Sequence, residues 1–102
     1  KRLEAAASGD FVVALYNPRS KGRDWQLGKA REILLRHRPP TTPVMLARQL
    51  GRAEESRQLT CLERLEPESV DMLTLVLIGN SSSRAEDGWM VTPRGSPGAS
   101  LQ

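Results

Sequence analysis

The chain of 102 residues has few of the side chains that build metal centres and catalytic triads. Cys61 is its only cysteine, so an intrachain disulfide and a cysteine-based metal site are both excluded. His37 is its only histidine, so a histidine-paired metal site is excluded, and a Ser, His and Asp triad would have to use this one residue. We therefore expect no metal, and a reducing cytoplasmic compartment fits the cysteine content.

Aromatic residues and long apolar runs are also scarce. Two Trp, one Tyr and one Phe leave the core to Leu, Val, Ile and Ala. No apolar run approaches the roughly 20 residues that span a bilayer, and no signal-peptide pattern opens the chain. We expect no membrane association. The first residue is Lys1 rather than Met, which predicts a fragment, a processed chain or a tagged one.

The composition that is present predicts one compact folded domain. Apolar residues make up 38% and charged residues 26%, which is ordinary for a globular protein. We assign residues 1–95 to this domain and 96–102 to a disordered tail of small residues. The net charge of +3 favours an anionic partner, but it does not choose among nucleic acid, phosphate and polycarboxylates.

Two segments have helical patterns. Residues 1–8 read as the tail of a helix. A second helix begins after Asp24, whose carboxylate can cap the first turn, and ends before Pro39. Apolar residues recur in it near a period of 3.6. They are Trp25, Ala30, Ile33 and Leu34.

Apolar runs at 11–16, 43–50 and 71–79 predict strands, with 58–62 as a further short one. Continuous runs are typical of strands that are covered on both faces, as in parallel sheets. Strand, helix and strand follow one another over 11–50 at a length suited to a crossover unit. The fold class predicted is α/β, with a mixed, mostly parallel sheet flanked by helices. Residues 89–92 are expected to form an edge strand after an Asp87-Gly88 turn.

Ligands of open α/β sheets bind beyond the carboxyl ends of the strands. Three such ends carry polar residues, at 16–23, 48–52 and 79–82. The first holds Arg19, Lys21 and Arg23 at alternate positions, a density of donors that suits carboxylates or phosphates. It lacks the glycine spacing of phosphate-binding and dinucleotide-binding loops. A solvated basic turn is the alternative.

Other functional hypotheses have weaker support. A nucleic-acid-binding domain would interleave aromatic and basic residues, and Tyr16 is the only aromatic residue near the basic loop. His37 suits a structural role at a helix C-terminus, where its charge meets the helix dipole. Cys61 in an alternating strand is interpreted as a small core residue. We assign no catalytic residue.

An ordered set of short sequence words resembles the precorrin-3B carbon-17 methyltransferases of the tetrapyrrole methylase family. These words extend from Asp10 to Gly95, nearly the whole chain. They are Ala14 to Lys21, Trp25-Gln26-Leu27, Ala30 to Leu34, Arg38-Pro39-Pro40, Thr42-Pro43-Val44, Gly51-Arg52, Asp71 to Thr74, Ile78 to Ser81, Asp87-Gly88 and Val91 to Gly95.

The resemblance implies the C-terminal domain of a two-domain enzyme. Such an enzyme transfers a methyl group from S-adenosylmethionine to carbon 17 of a precorrin, with contraction of the macrocycle. The family's N-terminal domain is absent, so we expect the fragment alone to be inactive. A homodimer is expected, and the dimerisation unit is an alternative role for the fragment. The sequence leaves open whether the substrate is precorrin-3B or its cobalt-containing counterpart. It also leaves open whether another position is methylated.

The resemblance also assigns site residues. Cofactor contacts fall on Tyr16 and Asn17, on Arg48 to Leu50 (including Gln49), and on Thr74 and Leu75, where apolar Leu50 and Leu75 would pack on adenine. Arg19 and Lys21 would face the carboxylates of the tetrapyrrole. Gln49 stands where the family pattern has Asn. Ser96 stands directly after the Pro93-Arg94-Gly95 word, where the family often has an aromatic residue.

Overall fold

A computed structural model describes residues 2–16, 25–49, 51–66, 70 and 74–93. The cap Asp24, the site candidates Asn17, Arg19, Lys21 and Leu50, and the tail 96–102 lie outside these ranges. The elements are helices α1 (Arg2–Ser8) and α2 (Trp25–His37), strands β1 (Val13–Tyr16), β2 (Pro43–Arg48), β3 (Ser56–Cys61), β4 (Thr74–Ile78), β5 (Arg84–Glu86) and β6 (Trp89–Val91), and a 3-10 turn at Leu62–Arg64.

Helix α2 confirms the amphipathic pattern of the sequence. Leu27, Ala30 and Leu34 are buried, whereas Lys29 and Glu32 on the other side are exposed and form an ion pair across one turn. The helix ends at His37, shortly before two prolines that disfavour helical geometry. Helix α1 likewise confirms the helical segment predicted over residues 1–8.

The predicted mostly parallel sheet is wrong. The four strands of the main sheet, in the described part of the chain, have the order β1-β4-β2-β3, and every neighbouring pair is antiparallel. Strands β1 and β2, which α2 connects, do run in the same direction. Strand β4 lies between them and runs the opposite way, so they never pair. A continuous apolar run indicates that a strand is buried but not which way it runs. The pattern therefore could not distinguish a parallel sheet from an antiparallel one.

In the part of the chain that the structure describes, helices cover only one face of the main sheet. Thr74, Val76 and Ile78 of β4 are buried on that face, whereas Leu75 and Leu77 on the other face are only half-buried. The prediction that strands are covered on both faces is therefore wrong for β1, an edge strand whose Ala14 and Tyr16 are exposed.

The core lies between the helix-covered face of the sheet and the two helices. Burying about ten aliphatic side chains of this kind supplies the main driving force for folding. The cluster contains Ala7 of α1, Leu27 and Leu34 of α2, Val13, Val44, Leu46, Val76 and Ile78 of the strands, and Leu62, Leu65 and Val70 beyond β3.

Strands β5 and β6 form a separate hairpin rather than an edge of the main sheet, which corrects the prediction for residues 89–92. The Asp87-Gly88 turn is confirmed, and both residues have positive φ (51° and 79°), as the tight turns that suit hairpins require. No helix within the described ranges is long and apolar enough to cross a membrane.

Candidate functional site

One end of the main sheet, which we call the open end, gathers the predicted cofactor residues that the structure describes. Tyr16 is the last residue of β1 and pairs with Leu75 near the start of β4. Arg48 is the last residue of β2 and pairs with Thr74, the first residue of β4. Because β4 runs against both neighbours, its first residues meet the carboxyl ends of β1 and β2. The register therefore brings these positions to the same end of the sheet, and their role in binding a cofactor stays a prediction.

The four residues at the open end divide between the two faces of the sheet, since side chains alternate along a strand. Thr74 is fully buried and Arg48 is exposed, and both lie on the helix-covered face. Tyr16 and Leu75 lie on the other face, where Tyr16 is 67% exposed. A ligand at the open end can therefore contact both faces only if it extends past the ends of these strands.

A polar cavity lies on the helix-covered side of the open end. Its volume is about 250 Å³. Arg48 and Thr74 belong to its wall together with Arg64 and Glu66, so its lining includes both donors and an acceptor. The remaining walls are Leu46, Gln58, Thr60, Leu65 and Val70.

An apolar cavity lies on the other face, between the sheet and the β5–β6 hairpin. Its volume is about 300 Å³, and it shares Leu75 with the predicted cofactor site. Apart from Arg57 its walls are apolar, which suits an uncharged ring system better than a polyanion. These walls are Met45, Ala47, Leu75, Leu77, Trp89 and Met90.

The turn after β2 presents backbone groups at the same end. Gln49 has a φ of 50°, in the left-handed region where Asn is enriched over most other residues. This explains physically why Asn suits the position in the family pattern. Arg52 N donates to Gln49 O at 3.0 Å, and Gly51 N donates to the Glu55 carboxylate at 3.1 Å, which fixes the turn.

The opposite end of the sheet, which we call the tied end, is occupied by an internal network. Arg38 is buried, and its guanidinium donates to Gly79 O at 2.7 Å, to Ala6 O at 3.0 Å and to Phe11 O. It therefore joins α1, the start of β1 and the end of β4. Burial lowers the pKa of Arg38, an effect that nearby Asp10 opposes.

Asp10 extends this network to the loop after β4. Its carboxylate accepts from Ser81 N at 2.8 Å and from Ser81 Oγ. Asn80 is also buried, and its Oδ1 accepts from Ser82 N at 2.9 Å and from Ser83 Oγ at 3.2 Å. The candidate strand end at 79–82 thus lies opposite the other two and takes part in structural contacts, because β4 is antiparallel to β1 and β2.

Sequence reasoning missed the residues that complete the two cavities. Trp89 was assigned only to an edge strand, and Arg57 and Arg64 were not considered. The Asp87-Gly88 turn was the available signal for Trp89, since a hairpin places the residue after its turn on a strand. Cys61 is only half-buried in β3 and lies outside the core cluster, so it is not the core residue that the sequence predicted. His37 is exposed at the end of α2.

The open end can bind a small molecule that has one apolar ring system and several polar groups. Among the residues that the structure describes, no three carboxylate, thiol or imidazole side chains are grouped to hold a metal ion. The groups at the open end that can bind and orient a small molecule are Thr74, Arg48 and the exposed residues 51–55.

Comparison with known proteins gives the same family as the sequence words, although no protein-family model matches the chain. The chain is 43% identical over 95 residues to the probable cobalt-factor III C(17)-methyltransferase of Salmonella typhimurium, covering 93% of this chain and 39% of the relative. It is 42% identical over 105 residues to the precorrin-3B C(17)-methyltransferase of Sinorhizobium sp, covering 98% and 41%.

A solved structure agrees. The crystal structure of the methyltransferase CobJ superposes with a TM-score of 0.83 at 40% identity, over 90% of this chain and 38% of that chain. The resemblance to the precorrin-3B and cobalt-factor III C(17)-methyltransferases is confirmed, and the fold is that of an α/β domain in such an enzyme. The chain spans about two fifths of the length of these relatives.

Proposed function

We propose that the chain is part of an S-adenosylmethionine-dependent methyltransferase that methylates carbon 17 of precorrin-3B or of its cobalt-containing counterpart, with ring contraction, in cobalamin biosynthesis. The observation that carries this proposal is the convergence of Tyr16, Arg48, Thr74 and Leu75 at one end of the sheet. Similarity to relatives named as methyltransferases of this kind supports it.

In this proposal the cofactor lies across the open end. The apolar face, with Leu75, takes the adenine, while the backbone after Tyr16 and Gln49 supplies donors and acceptors to the polar parts. Arg48 and Thr74 line the polar cavity on the opposite, helix-covered face of the sheet. Asn17 and Leu50 complete the cofactor set. When bound, S-adenosylmethionine supplies the methyl group, and the residues of this chain hold and orient it.

The substrate is a tetrapyrrole with many carboxylates. Arg19 and Lys21 come shortly after Tyr16, the last residue of β1, in the sequence, and an Arg side chain can bind a carboxylate through two hydrogen bonds. No catalytic residue is assigned to this chain. We place the chemistry in the part of the enzyme that its relatives have and this chain does not cover, in a cytoplasmic homodimer.

A chimera tests the activity. Residues 1–95 replace the matching segment of the Sinorhizobium methyltransferase, and transfer of a labelled methyl group to precorrin-3B is measured. We expect the chimera to be active, and the isolated chain to be inactive. A chimera that folds and binds precorrin-3B but transfers no methyl group would contradict the proposal.

The substrate assignment is tested in the same chimera. Replacing Arg19 and Lys21 together by Ala should raise the KM for precorrin-3B severalfold and leave the KM for S-adenosylmethionine unchanged, since only substrate carboxylates are involved. If the double variant has the same KM for precorrin-3B as the parent chimera, these two residues do not contact the substrate.

A further inference from the structure

The β5–β6 hairpin needs contacts with the main sheet to be stable, because an isolated two-stranded hairpin is marginal in water. Ser83 Oγ and Thr92 Oγ1 lie 2.6 Å apart and close its base. Near its turn, Trp89 meets Arg57 of β3, whose guanidinium carbon lies 4.4 Å from the centroid of the indole ring. The hairpin is thus closed at its base, and Trp89 contacts the main sheet.

Arg57 is itself held in place by a second contact. Its guanidinium donates to the Glu55 carboxylate at 3.0 Å, so the cation that lies over the indole is itself fixed from the 49–55 turn. A cation over an aromatic face contributes about 0.5–1 kcal/mol at exposed sites. Trp89 remains 51% exposed, which is unusual for so large an apolar side chain and leaves its ring accessible from solvent.

The apolar cavity under this hairpin is continuous with the open end. Across the sheet, Tyr16 pairs with Leu75, Leu75 with Ala47, and Ala47 with Arg57, so these four side chains form one row. Leu75, Ala47 and Arg57 line the cavity together with Trp89. Its volume of about 300 Å³ is at the lower limit for small-molecule pockets, so it admits one ring system and not a tetrapyrrole macrocycle.

We propose that Trp89 is an adenine-contacting residue of the cofactor site, that Arg57 and Glu55 position it, and that the hairpin closes the apolar cavity over the ring. This inference rests on the proposed function, because the adenosyl group is the ring system that S-adenosylmethionine brings. Aromatic side chains stack on bases irrespective of their hydrogen-bonding edges, so Trp89 contributes affinity for a ring and Leu75 forms the opposite wall.

Tryptophan fluorescence tests the contact. The sequence has two tryptophans, so the Trp25→Phe variant reports on Trp89 alone. Titration with S-adenosylhomocysteine should quench this emission, and calorimetry on the same samples gives the dissociation constant independently. Trp89→Ala should then raise that constant about tenfold, as expected for the loss of one base-stacking contact.

Arg57→Gln separates positioning from contact. It should raise the dissociation constant about threefold and shift the Trp89 emission before any ligand is added, because the cation over the ring is lost. Arg84→Gln is the matched control, since Arg84 pairs with Glu86 on the same hairpin outside the cavity, and it should change neither quantity. Thermal unfolding establishes that each variant is folded.

The outcomes distinguish this inference from the proposed function. Calorimetric binding with the same constant in the wild type, Trp89→Ala and Arg57→Gln would overturn the role of Trp89 and leave the cofactor assignment intact. Absence of binding in every variant and in the wild type would overturn both for this chain. Quenching of Trp89 emission in the Trp25→Phe variant, together with weaker calorimetric binding in Trp89→Ala and Arg57→Gln but not in Arg84→Gln, supports the inference.

Discussion

The two ends of the main sheet differ in what their polar groups contact. At the tied end, buried Arg38 donates to the carbonyls of Ala6, Phe11 and Gly79, and half-buried Asp10 accepts from Ser81 in the loop after β4. At the open end, Tyr16 and Arg48 are exposed, and two cavities reach the same strand termini. We infer from this difference that the tied end stabilises the fold, and our proposal places the cofactor at the open end. Variants at the two ends should therefore separate stability from binding.

The largest effect on stability is expected for Arg38→Met. The substitution removes the charged donor of three carbonyls and leaves them buried without it, which should lower the free energy of unfolding by about 3–5 kcal/mol. Urea denaturation followed by circular dichroism measures it.

The control for this variant is Arg84→Met, which removes an exposed arginine and should cost less than about 0.5 kcal/mol. A loss below about 1 kcal/mol for Arg38→Met would show that the tied end does not hold the fold.

Gly79→Ala should have the next largest effect. A Cβ at this position would lie 2.5 Å from Ser83 Cβ and 2.6 Å from Ser83 Oγ, so the loop after β4 must shift, at a cost of about 2–3 kcal/mol. Gly51→Ala at the open end meets nothing within 4 Å, and its φ of +81° alone should cost about 1–2 kcal/mol. Equal melting temperatures for the two variants would contradict the close packing assigned to the tied end.

Tyr16→Ala should affect binding and not stability. Its side chain is 67% exposed, so the free energy of unfolding should change by less than about 0.5 kcal/mol. The dissociation constant for S-adenosylhomocysteine should rise about fivefold, as calorimetry would measure, if the side chain adds about 1 kcal/mol of contact. A destabilised variant with unchanged affinity would reverse the roles assigned to the two ends.

The smallest effect is expected for Gln49→Asn. Asn adopts the left-handed region more readily than Gln, so the variant should be stabilised by about 0.5 kcal/mol. A high-precision thermal melt can resolve this gain. A decrease in melting temperature would mean that the Gln49 side chain makes contacts that outweigh its backbone conformation.

Helices, turns and single strands could be predicted well because each is marked by residues that are close together in the sequence. The 3.6-residue period of α2, the Asp87-Gly88 turn and the apolar run of β4 each depend on neighbouring residues. Strand direction and order depend on distant pairing, and the insertion of β4 between β1 and β2 has no local signature. The predicted parallel sheet failed for that reason.

The candidate site divides in the same way. Tyr16, Arg48 and Thr74 were found through short family words, and register brings them together. No local pattern in the sequence marks Arg38 as buried, and only the folded chain places three carbonyls around it. Trp89 reaches the apolar cavity through the hairpin and its contact with Arg57, neither of which a linear reading contains.

Amide NMR of the chain titrated with S-adenosylhomocysteine tests the central claim most directly, because it reads both ends of the sheet in one experiment. We predict chemical-shift changes at Tyr16, Gln49, Thr74 and Leu75, with little change at Asp10, Asn80 and Ser81. Changes confined to the tied end, or none at saturating ligand, would contradict the assignment of the open end as the cofactor site.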